Sequence, residues 1–149
     1  MKYEISKITK YIQIAKEKHK EGNLNQANEI YKKLINQKIY TDDLLISYAI
    51  FNREINNLEV AKNLLILSIR KFPLVIKSYI LLAEILRNEN KFEDALKTLQ
   101  AAKKIDKFNS DIDYNFSIIY KITKAFKEAL FFIDFAIKKH PNNLIYKIL

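Results

Sequence analysis

Apolar and small residues recur along the chain at steps of four and three: Ala27, Tyr31 and Leu34, then Ala61, Leu65 and Ser68, then Ala95, Leu99 and Ala102, then Ala129, Ile133 and Ala136. Side chains at such steps share one face of a helix, so each triplet predicts a helix with a single packed stripe. Each triplet also stands 34 residues after the last. A second set keeps the same interval. Ala15, Ala49, Ala83 and Ser117 lie twelve residues before the anchoring alanines, each preceded by a larger residue, Ile14, Tyr48, Leu82 or Phe116. Small residues therefore return where two helices must approach closely, and bulky ones return beside them. The period predicts a helical hairpin repeated four times. The first hairpin should run as a helix over Ile8–Lys20, a turn at Gly22 and a second helix over Asn25–Gln37; Asn56, Asn90 and Lys124 take the turn position afterwards.

At these columns the chain resembles the tetratricopeptide-repeat family, whose pattern has a large residue followed by a small one, an alanine four residues before a bulky residue, and a closing proline. Pro73 and Pro141 stand at the closing position, while Ile39 and Lys107 replace it in the other repeats. Asp113 departs from a column filled elsewhere by Tyr11, Leu45 and Tyr79. The resemblance implies an all-α, right-handed α-solenoid of four helix-turn-helix repeats. These form a single domain over 1–149, with repeats at 8–41, 42–75, 76–109 and 110–143. Residues 144–149 would begin a capping or fifth-repeat helix.

Composition narrows the chemistry. One glycine and two prolines leave no material for phosphate-cradling loops, and the absence of cysteine removes thiolate metal sites, disulfides and thiol nucleophiles. His19 and His140 belong to the first and last repeats, so a site using both is disfavoured, and no motif of hydrolases or zinc enzymes occurs. No catalytic residue, metal or cofactor is expected. Asp42 with Asp43, and Asp111 with Asp113, fall at predicted helix starts, where carboxylates would cap free amides. Arg70-Lys71, Lys103-Lys104 and Lys138-Lys139 close the second helices, where cations suit the negative end of the helix dipole. Neither the start, Met1 to Lys7, nor any later stretch has the apolar length of a signal peptide or membrane span, so a cytoplasmic location is expected.

The family resemblance implies a groove lined by the first helices. It carries three ladders onto this sequence: Ile12, Ile46, Ile80 and Tyr114; Lys16, Ile50, Glu84 and Ile118; His19, Arg53, Arg87 and Lys121. The last can be positive at every rung. With a net charge of +9, it implies an amphipathic, partly acidic peptide or helix as guest. The carboxylate clamp of chaperone-tail binders is absent, since Ile12, Lys16, Ser47, Lys77 and Leu81 stand at its positions. A more apolar guest is implied.

The fourth repeat carries Phe131 and Phe135 where earlier copies hold mainly polar residues, and the chain ends on Leu144-Ile145-Tyr146 and Ile148-Leu149. Such a face calls for a cover. A homo-oligomer through Phe131, Phe135, Leu144 and Ile148 is one expectation, and the amino-terminal module of a larger protein, such as a transferase, is another. The leading function is a non-enzymatic scaffold or adaptor for a protein partner. An RNA-binding helical repeat is the alternative suggested by charge, disfavoured because related one-base-per-repeat arrays use a spacing of 35.

Overall fold

The computed structural model describes residues 2–147, with side chains from Ser6 onward. Eight α-helices follow one another: α1 (Lys2–Lys20), α2 (Leu24–Asn36), α3 (Asp42–Glu54), α4 (Leu58–Lys71), α5 (Ile76–Asn88), α6 (Phe92–Ile105), α7 (Ser110–Ile122) and α8 (Phe126–Lys139). A short 3₁₀ turn, Leu144–Lys147, comes last. No strand occurs among the described residues. The helix α1 starts earlier than apolar spacing predicts, because Lys2 to Lys7 contain neither glycine nor proline and nothing stops the helix from extending.

Two compact units divide the chain between Val75 and Ile76. In the first, α1 packs on α2 and α3, and α3 on α4; in the second, α5 packs on α6 and α7, α7 on α8, and α8 on the 3₁₀ turn. Small-residue columns make these approaches possible. Ala15, Ala49, Ala83 and Ser117, with Ala27, Ala61, Ala95 and Ala129, are all at most 7% exposed, so each spends its small volume on helix contact rather than on solvent. Beside them Tyr31 stacks on Tyr48 at 4.9 Å and lies 5.6 Å from Phe51, filling the core of the first unit.

The hairpin turns share one backbone device. Gly22, Asn56, Asn90 and Lys124 all take positive φ, at 80°, 60°, 60° and 62°. Each donates its amide to the carbonyl three residues earlier, in His19, Arg53, Arg87 and Lys121. The next amide, of Asn23, Asn57, Lys91 or Ala125, reaches the carbonyl five residues back, in Lys18, Asn52, Leu86 or Tyr120, at 2.7–2.9 Å. This closure satisfies carbonyls that a helix end leaves free.

At the helix starts the structure corrects the expected caps. Thr41 accepts from the Leu44 amide, and Asn109 from those of Asp111 and Ile112. The neighbouring carboxylates look elsewhere: Asp43 accepts from Lys16 and Ser47, Asp111 from Tyr146, and Asp113 from Lys103. Hydroxyl and amide side chains just before the helix reach its free amides, while Asp43, Asp111 and Asp113 lie inside the first turn with their side chains turned to other partners, and Asp42 is exposed there.

Candidate functional site

Each unit has a cleft on its first helices. In the first unit, Gln13, Lys16, His19 and Lys20 of α1 face Ser47, Ile50 and Glu54 of α3 across about 340 Å³, with Tyr31 contributed by α2. Two polar ties cross between these helices. The Lys16 ammonium donates to Asp43 at 2.8 Å, and His19 Nε2 stands 3.0 Å from Glu54 while its ring meets Phe51 edge-on at 5.0 Å. Burial pushes the Tyr31 phenol up to about 12, with Asp43 and Glu54 adding to the effect.

In the second unit, Ile76, Lys77, Ile80, Leu81 and Glu84 of α5 face Tyr114 and Asn115 of α7 across about 640 Å³. The 3₁₀ turn supplies one wall. Tyr146 is buried there, packs against Tyr114 at 5.2 Å and donates to Asp111 at 2.5 Å. Both clefts thus set apolar side chains, Ile50 in the first and Ile80 and Tyr114 in the second, beside polar ones.

The ladders are distributed unevenly over these clefts. Lys16, His19 and Ile50 line the first, and Ile80, Glu84 and Tyr114 the second. Ile12, 1% exposed, points into the packed interior and offers a guest no surface, and Ile46 is nearly as buried. Arg53, Arg87 and Ile118 are half-buried, and Lys121 is exposed. Arg87 reaches Asn115 at 3.4 Å.

His19, Arg53, Arg87 and Lys121 are also the residues whose carbonyls accept at the hairpin turns, in the last turn of each first helix. Cations there complement the helix dipole, worth about 0.3–1 kcal/mol each.

Of the residues expected at an oligomer interface, Phe131 and Phe135 are 58% and 53% exposed, and Leu144 is exposed in the 3₁₀ turn. Ile148 lies outside the described residues. No group of three or more His, Cys, Asp or Glu that could hold a metal occurs among the described residues. No helix there is long and apolar enough to cross a membrane.

No family model and no curated protein matches the sequence. Solved structures do. YrrB, described as a TPR protein with an unusual peptide-binding site, superimposes with a TM-score of 0.77 at 18% identity, over 93% of this chain and 72% of that one. The fold is that of the tetratricopeptide-repeat (TPR) proteins. A crystal structure of MamA aligns with a TM-score of 0.79 at 18% identity, covering 93% of this chain and 76% of its own. In the Cut9–Hcn1 assembly of APC/C, a matching chain aligns at 0.77 and 16% identity over 94% of this chain and 28% of that one. Within the TPR frame, α1, α3, α5 and α7 are the first helices of the four hairpins, and both clefts lie on them.

Proposed function

We propose that this TPR chain is a non-enzymatic adaptor, acting in the cytoplasm, that holds a peptide or helix of a partner protein against its first helices. The observation that carries the reading is the pair of pre-formed clefts on α1–α3 and α5–α7, in which Ile50 and then Ile80 with Tyr114 are partly open to solvent. Support also comes from YrrB, whose description includes a peptide-binding site on the same fold. The guest should insert apolar side chains beside Ile50, and beside Ile80 and Tyr114. Its acidic groups would meet Lys16 and Lys20 in the first unit and Lys77 in the second. Arg53 and Arg87 serve mainly their helix ends in this reading.

The test is site-specific photo-crosslinking in the native host, with the reactive residue placed at Ile50, at Ile80 or, as a control, at Gln26 on α2. A shared partner band at the first two positions, lost on Lys16→Glu with Lys20→Glu, is expected. Equal labelling at Gln26, or none at either cleft, would remove the adaptor reading.

A further inference from the structure

A third concavity lies away from the first-helix clefts. Phe116 and Tyr120 of α7 and Phe132 of α8 form its floor, and Gln100, Lys103 and Lys104 of α6, with Lys107 just beyond, form one edge around about 430 Å³. The three rings are nearly parallel: Phe132 stacks on Phe116 at 4.7 Å and on Tyr120 at 5.6 Å. Phe131 meets Phe132 edge-on at 5.3 Å and Phe135 at 5.1 Å, carrying the aromatic surface outward along α8. No carboxylate is among the residues lining the groove. Lys103 is engaged by Asp113, whereas Lys104 and Lys107 are exposed.

We infer that this α6–α7–α8 groove is a second docking site, for a partner-protein segment that sets a bulky apolar side chain between flanking aspartates or glutamates. The aromatic floor removes the apolar residue from water. The lysine edge supplies the complementary charge and orients the segment. A nucleic acid fits less well, because the rings already cover much of one another's faces and only two lysines are left for phosphates. A second copy of this chain is the competing occupant, through Phe131 and Phe135. In a two-fold interface each patch meets itself, which would bring one lysine edge close to the other. The site is independent of the first-helix clefts, so either can fail alone.

The experiment pans a random dodecapeptide phage library against the full chain and counter-selects on the variant carrying Lys104→Glu, Lys107→Glu and Phe135→Ser. All three positions are exposed, so the fold should persist, as circular dichroism would show. Enriched peptides should pair Phe, Leu or Trp with adjacent Asp or Glu, perturb the NMR signals of Phe116, Tyr120 and Phe132, and bind the variant at least about tenfold more weakly. No enrichment, peptides without acidic residues, or signals moving only at Ile80 and Tyr114 would overturn the assignment. So would tighter binding of a single-stranded oligonucleotide, or a dimer in sedimentation that the same substitutions dissolve.

Discussion

The Lys103 ammonium donates to the buried Asp113 carboxylate, joining α6 to α7 at a position where the two preceding hairpins bury Leu45 and Tyr79. Burial raises the Asp113 carboxyl above its ordinary value, and the pull of Lys103 only partly offsets this. Stability from the group is therefore full below about pH 4 and is lost as pH rises through the raised value. Replacing the pair together, Asp113→Leu with Lys103→Met, should add about 1–2 kcal/mol at pH 7 and less at pH 4. Lys103→Ala should instead cost on the order of 1–3 kcal/mol at pH 7, by leaving the carboxylate without its partner. Urea melts of both variants at the two pH values test the pair, and a double variant less stable than the parent at pH 7 would refute the account.

Lys124 holds the left-handed conformation that Gly22 holds in the first hairpin. A side chain costs roughly 1 kcal/mol there, and glycine avoids it. Lys124→Gly should thus gain about 0.5–1 kcal/mol, and Gly22→Ala should lose a similar amount, although a Cβ at Gly22 would meet nothing within 4 Å. Thermal melts showing the opposite signs would mean that contacts, not backbone preference, govern these turns.

Tyr31 is 1% exposed and forms the apolar centre of the first unit with Tyr48 and Phe51. Tyr31→Ala should cost about 3–5 kcal/mol by opening a cavity, whereas Phe, which keeps the ring, should cost less than about 1.5 kcal/mol. Chemical denaturation of the two variants measures the difference. Similar losses would place the value of the residue in its hydroxyl.

The Tyr146 hydroxyl anchors the 3₁₀ turn to Asp111, and burial raises this phenol above its usual value. The contribution is present below about pH 10 and lost as pH rises through the raised value. Tyr146→Phe should speed amide exchange across residues 144–147 at neutral pH while leaving α5 and α6 protected. Unchanged exchange would show that packing on Tyr114 suffices to hold the turn.

The fold was legible in the sequence because its determinants repeat: a small residue cannot be replaced where helices touch, so Ala27, Ala61 and Ala95 announce themselves by interval. Turn positions were legible for the same reason, through Gly22 and the asparagines that tolerate its conformation. The sites were less so. Periodicity marks first-helix residues without separating those that face solvent, as Ile50 does in part, from those that face the core, as Ile12 does. It marks a basic ladder without showing that each rung also stands at a helix end. The lysine–aromatic groove was missed because it breaks the period: Phe131 and Phe132 replace Lys97 and Thr98 of the preceding hairpin. Its signal was already present in the unusual aromatic run of α8.

The paired amide bonds at the four hairpin turns span only three and five residues, so each hairpin can close without waiting for distant parts of the chain. Folding then needs little long-range search, a circumstance that favours assembly in microseconds to milliseconds and lets it begin at any of the four hairpins. A defect at one turn should delay its own hairpin first, leaving its neighbours to form on schedule.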